Sequence, residues 1–267
     1  MSRFDRLEFR EPEQTLGARG QQQQRADLRQ PLDEDFDEGH WLRMAGDERR
    51  RGLHESALRY YSRALELDKS LVAGWVGQVQ MLIALGEYPE AELWSRKALE
   101  LFKNNAELLA GRAQALCRAG DLRAAQASCD AAIGQQGMFA CPWIARGELM
   151  VARKDALDDY CFDKAAQIDP DWLVPLEIGA IYQHYGRDAK ALTRTRQAVE
   201  RAPDQAYCWY RQGACELALG LTAPAERSFA RCLQLVPNHA DAHRALADLK
   251  NNRRVLLRFF RRLFNWS

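Results

Sequence analysis

Two features of the chain carry residues whose types and spacing could do chemistry. The first is the C-terminal segment 253–267, where Arg254, Arg258, Arg261 and Arg262 recur at helical spacing. Between them stand Val255, Leu256, Leu257, Phe259, Phe260, Leu263, Phe264 and Trp266, and no acid occurs. Wound as a helix, the apolar side chains fill an arc of about 200° and the arginines lie opposite, with Arg253 the stray. Arginine facing phenylalanine, leucine and tryptophan is the pattern of a helix lying in a membrane interface. Near an anionic surface each cation adds on the order of 1 kcal/mol. Docking in the chain's own groove, or insertion into a partner protein, would use the same helix, and the three readings stay open. The second feature is His239 and His243, four apart as metal-binding helices place them. No third ligand is evident, so they read as surface histidines, and neither metal nor cofactor is expected.

Catalytic signatures are missing. There is no glycine-rich phosphate loop, no Gly-x-Ser-x-Gly and no His-Glu-x-x-His, so no catalytic residue is expected. Asn265-Trp266-Ser267 has glycosylation spacing, which matters only in a secreted chain. Cys117, Cys129, Cys141, Cys161, Cys208, Cys215 and Cys232 form no Cys-x-x-Cys pair and no zinc spacing. They read as reduced, buried filler, since free cysteine behaves as a small hydrophobe. Lysine and arginine number 38 against 37 acids, a net charge of +1, which argues against nucleic acid as a partner. No apolar run approaches the ~18 residues of a membrane span. Arg3, Asp5, Arg6, Glu8 and Arg10 leave no signal-peptide core, so a cytoplasmic chain is expected, with peripheral membrane contact through 253–267.

The elements that must position these residues are set by a 34-residue period. Gly52, Gly86 and Gly120 keep it, as do Ala57, Ala91 and Ala125, and Ala64, Ala98, Ala132 and Ala166. Trp41 and Trp75 keep it too, and downstream it returns as Gly179 and Gly213, Gly186 and Gly220, Ala191 and Ala225, Pro203 and Pro237. A fixed period of this length marks a solenoid built from one supersecondary unit. Each unit reads as two antiparallel helices: a large anchor and a small residue on the first, a glycine turn, then alanines on the second. The predicted units are 38–71, 72–105, 106–139, 140–171, 172–205 and 206–239. The fourth loses two residues and puts Asp158 in an alanine slot. Segment 134–137, with two glycines, reads as a hinge or bulged connection where two blocks of three units meet. A capping helix over 240–252 should turn Ala242, Ala245, Leu246 and Leu249 inward. Residues 1–37, with the glutamine run 21–24 and the acids of 33–38, bury too little apolar area to order. Phe4, Leu7 and Phe9 are the one candidate docking motif there.

The succession Trp209, Gly213, Gly220, Ala225, Phe229, Pro237, echoed by Trp41, Ala45, Gly52, Ala57, Tyr61 and Ala64, resembles the tetratricopeptide repeat. The resemblance covers about residues 38–250. It implies an all-α, right-handed superhelical solenoid of about six helix-turn-helix units plus a capping helix, whose inner wall is lined by first helices. Projected at helical periodicity, that wall presents Arg49, Val76, Gln80, Ile83, Gln114, Arg118, Ile144, Glu148, Leu176, Ala180, Gln183, Tyr207 and Tyr210. Of these, Val76, Gln80, Ile83, Gln114, Arg118, Glu148, Gln183, Tyr207 and Tyr210 are the candidate partner-binding residues. A mildly apolar wall with glutamines suits an extended peptide or a helix with a few apolar anchors. Some members of the family grip chaperone C-termini with a lysine, asparagine and arginine cluster. Here those positions hold Leu42, Gly46, Gly77, Glu107 and Gly111, and the next set (Ile144, Glu148, Glu177, Tyr207, Arg211) keeps one arginine, so no such clamp is expected. The resulting expectation is a non-enzymatic scaffold or adaptor that holds protein partners in its groove and is tethered to a membrane surface by its C-terminal helix. The alternative is a regulatory or assembly subunit of an enzyme complex whose tails dock on the partner.

Overall fold

A computed structural model of the chain describes residues 36–251, and every element within them is a helix. In order they are α1 (Glu38–Arg51), α2 (His54–Leu67), α3 (Val72–Leu85), α4 (Tyr88–Leu101), α5 (Ala106–Ala119), α6 (Leu122–Ile133) and α7 (Ala140–Arg153). There follow α8 (Asp158–Ile168), α9 (Leu173–His184), α10 (Asp188–Arg201), α11 (Ala206–Ala218), α12 (Thr222–Leu235) and α13 over 240–251. The interfacial pattern of 253–267 and the motif of Phe4, Leu7 and Phe9 lie outside the described residues. No described helix is long and apolar enough to cross a membrane.

Odd and even helices pair into six hairpins, and the turn between partners repeats. After α1, Gly52 takes φ 78° and its N–H reaches the Arg49 carbonyl at 3.0 Å, while the Leu53 N–H reaches Glu48 at 2.9 Å. This closes the helix on its last free carbonyls with a residue in the left-handed region. The fourth hairpin has no glycine there: Lys154 adopts φ 60° and its N–H reaches the Val151 carbonyl, while the Asp155 N–H reaches Met150. A left-handed non-glycine residue costs roughly 1–2 kcal/mol, which the surrounding turn must offset.

Within each hairpin the helices cross on small residues. A Cβ at Gly147 would lie 2.4 Å from Phe162 of the same hairpin, and the device recurs between the first and second hairpins, where a Cβ at Gly77 would lie 2.3 Å from the Tyr61 ring. Ala57, Ala64, Ala91, Ala98, Ala125, Ala191, Ala198 and Ala225 are completely buried. The fourth hairpin departs from strict spacing. Its α8 has only 11 residues, and Ala165, not the expected Ala166, fills the buried alanine slot. The shortened turn shifts the helix by one position, so simple addition of the period overshoots. Asp158 does occupy the other alanine slot, where it accepts from Tyr182 Oη at 2.9 Å and Lys190 Nζ at 2.6 Å.

The hairpins stack through one apolar spine. α7 packs closely on both α5 and α6 beyond segment 134–137. Close backbone approach is sparser one unit later, between α8 and α9, where the rings of Phe162 and Tyr182 meet edge to face at 5.2 Å. α13 closes the stack: Ala242 and Leu249 are buried and Ala245 and Leu246 pack beside Phe229 and Cys232, while Asp241, Arg244, Asp248 and Lys250 face out.

Candidate functional site

Curvature brings the first hairpin against the fifth and sixth. At the end of α1, Arg49 pairs with Glu177 of α9. Arg50 pairs with Asp171 at 2.6 Å and lies 5.3 Å over the Trp172 ring. At the start of α2, His54 Nε2 meets Tyr207 Oη of α11 at 3.2 Å. The same tyrosine ring presses on the turn at Gly52, where a Cβ would lie 2.3 Å from it. Any side chain there would force the seam apart. Tyr88 at the start of α4 reaches His184 Nδ1 at 3.5 Å. First helices thus surround a central cavity of about 430 Å³.

The cavity wall is polar on a nonpolar base. Ile83, Ile144, Leu173, Leu176 and Ile181 supply the aliphatic part, and Arg49, Arg118 and Arg211 supply charge. Two of these arginines are neutralised: Arg49 by Glu177, and Arg118, whose Nε donates to Glu148 at 2.6 Å. Glu148 is completely buried and also accepts from Gln114 at 2.8 Å. Burial works against the Arg49 and Arg118 charges, but their carboxylate partners outweigh it and hold both guanidiniums ionised. Arg211 has only neutral acceptors, Tyr207 Oη at 3.2 Å and Gln183 Oε1 at 2.6 Å. His54 is pushed down to about 4 by burial and by the nearby Arg211 and Arg49 charges. His184 is lowered too, by burial and by Arg118, against the pull of Glu148.

The candidate residues from the sequence divide. Gln80, Ile83, Gln114, Arg118, Gln183 and Tyr207 line the cavity together. Val76 is buried in the spine between the second hairpin and its neighbours. Glu148 lies beneath the wall, bonded to Gln114 and Arg118 rather than facing the cavity. Tyr210 packs away from it, 6.0 Å from the Phe229 ring and 4.9 Å from His239. His239 Nδ1 accepts the Ala242 N–H at the start of α13, and a ring nitrogen of His243 lies 2.7 Å from the Pro237 carbonyl, so both histidines have local structural roles. Among the described residues no cluster of three or more histidine, cysteine, aspartate or glutamate side chains is placed to hold a metal ion. All seven cysteines are free and six are buried; burial pushes the Cys129, Cys141 and Cys208 thiols up to about 12. His54, Tyr88 and His184 were not among the sequence candidates. They sit at turns, and only the closure of the stack makes them inner residues.

Hairpins at 34-residue spacing, with left-handed turns, alanine faces and an aromatic ring seated on a small residue, are a single motif repeated. The fold is a tetratricopeptide-repeat solenoid. No family model matches the chain. Among curated proteins it is similar to the Protein CTR9 homolog of Arabidopsis thaliana, 30% identical over 167 residues. That match takes in 57% of this chain but spans only 14% of the relative's length. Similar solved structures include a thermophilic tetratricopeptide-repeat protein of Thermus thermophilus, with 16% identity, a TM-score of 0.49 and coverage of 79% of this chain and 98% of that one. Another is a tetratricopeptide-repeat protein of Parabacteroides merdae, with 17% identity, a TM-score of 0.48 and coverage of 86% and 89%. The Cut9–Hcn1 hetero-tetramer of the APC/C is similar over 80% of this chain and 43% of that chain, at 15% identity and a TM-score of 0.48.

Proposed function

We propose that this tetratricopeptide-repeat protein is a non-enzymatic scaffold that holds partner proteins. The observation that supports the reading is how the polar side chains of the inner wall are used. Arg49, Arg118, Glu148 and Glu177 are tied into wall-strengthening pairs, and the His54–Tyr207 and Tyr88–His184 contacts join one hairpin to another. A stacked array without reaction chemistry is suited to holding other molecules. The closure narrows the kind of partner. The contacts of the first hairpin with the last two interrupt the long open groove in which an amphipathic helix of several turns would lie. An extended segment that inserts one or two side chains past Gln80, Gln183 and Tyr207 fits better. Segment 253–267 supplies a second attachment in this reading, to an anionic membrane surface.

Purification of the full chain from its native cells, with and without Tyr207→Ala, tests the scaffold. A stoichiometric protein partner whose retention falls in the variant supports it. Recovery of the chain without any partner sensitive to the wall overturns it. For the tether, removal of 253–267 should abolish co-sedimentation with anionic vesicles, and unchanged sedimentation would remove it.

A further inference from the structure

The seam between the first and last hairpins contains a chain of hydrogen bonds that ends in unused donors. Arg211 has no acceptor to offer, so its Nη1 donates to Tyr207 Oη. The tyrosine, already accepting, directs its own proton to His54 Nε2. In that arrangement Nε2 accepts, and Nδ1 carries the hydrogen. Nδ1 is buried and has no partner. The Nε of Arg49, whose charge also acts on His54, is likewise buried and without a partner. Among the residues lining the cavity there are thus an arginine without a carboxylate, a histidine with an unpartnered imidazole N–H and a second arginine with an unpartnered Nε–H. The Gln80 amide, whose oxygen is also unpartnered, lines the same cavity and can present its NH₂ end. Three arginines meet only two carboxylates here, and the excess is positive.

Unsatisfied buried donors are costly, and a cation left with neutral acceptors in a partly desolvated site is a receptor for an anion. The rest of the lining says what the anion is attached to. Leu173, Leu176 and Ile181 are aliphatic, and a cavity of about 430 Å³ lies at the small end of organic-ligand pockets. We propose that the central cavity binds a small aliphatic carboxylate, its head on Arg211, flanked by His54 and Arg49, and its body along the aliphatic lining. The site is assembled from α1, α2, α9 and α11 across the seam. It therefore exists only while the array is closed, and an occupant fastens the first hairpin to the last. The inference goes beyond the scaffold reading and does not depend on which protein the array holds.

Calorimetric titration of the full chain with octanoate, its neutral analogue octanamide, and N-acetyl-leucine tests the proposal. Hydrogen bonds to a charged group contribute ~1.5–3 kcal/mol, so octanoate should bind about tenfold or more tighter than octanamide. Arg211→Gln should remove that preference and leave octanamide unaffected. If Arg211→Gln does not fold, the acid–amide comparison on the natural chain decides alone. N-acetyl-leucine binding tenfold tighter than octanoate would support the carboxylate site and name a peptide chain end as its source. Equal affinity for acid and amide, or no heat from either acid at millimolar concentration, would overturn the proposal.

Discussion

Acid should open the seam, and His54 sets the pH at which it does so. In the unfolded chain a histidine titrates near 6.5; in the fold, burial and the flanking Arg211 and Arg49 hold His54 at about 4. Because the folded value is the lower one, the unfolded state takes up the proton first. Stability is therefore whole above pH 6.5, falls as pH drops toward 4, and levels off below. A displacement of that size corresponds to about 3 kcal/mol at ~1.4 kcal/mol per unit. His184 and His239 are lowered as well and act in the same direction. Asp159 and Asp171, held low by their cationic partners against burial, lose their contribution only below the ordinary carboxylate range. The assay is urea denaturation at pH 7.5, 6 and 4.5 on the natural chain and on His54→Gln, which keeps a hydrogen-bonding group toward Tyr207. The difference between the two should shrink by about 2–3 kcal/mol from pH 7.5 to 4.5, since only the natural chain carries the His54 penalty. Parallel pH profiles for the two proteins would refute the electrostatic description of the seam.

Four other outcomes follow from the packing. Gly77→Ala should destabilise by about 1–3 kcal/mol, because its methyl group meets the Tyr61 ring. Gly46→Ala, with nothing within 4 Å, should stabilise α1 by ~0.5–1 kcal/mol, and thermal melts separate the two. Arg118→Met leaves Glu148 as an uncompensated buried carboxylate and should cost about 3–5 kcal/mol in denaturant titration, with most of the loss recovered by adding Glu148→Met. Lys154→Gly should raise the melting temperature, since it relieves a left-handed turn worth ~1 kcal/mol.

The repeat was legible because its markers are local. Gly52, Gly86, Gly120, Gly186 and Gly220 all adopt positive φ for the reason that placed them in the turn slot, and the alanine faces follow from helical spacing. The fourth hairpin was harder: a period counts residues, whereas packing counts turns, and a shortened α8 moved the buried alanine to Ala165. The site was half legible. Helical projection names Gln80, Ile83, Gln114, Arg118, Gln183 and Tyr207 because it needs only the face of each first helix. It cannot name His54, because the bond from His54 to Tyr207 joins residues 153 apart. That contact depends on small rotations accumulated over five hairpin junctions, and no single window of sequence encodes their sum. Arg49 and Glu177 appear as separate charges on different repeats for the same reason, although they are partners in space.

Closure of the array on itself underlies the cavity, the lowered His54 and the carboxylate site. The most direct test is a nuclear Overhauser measurement between the Gly52 α-protons and the Tyr207 ring protons in chain labelled selectively at glycine and tyrosine. A strong cross-peak at neutral pH that weakens toward pH 4 is the expected result. Its absence at neutral pH, with the Gly77–Tyr61 cross-peak present in the same spectrum, would mean that the hairpins stack but the ring stands open.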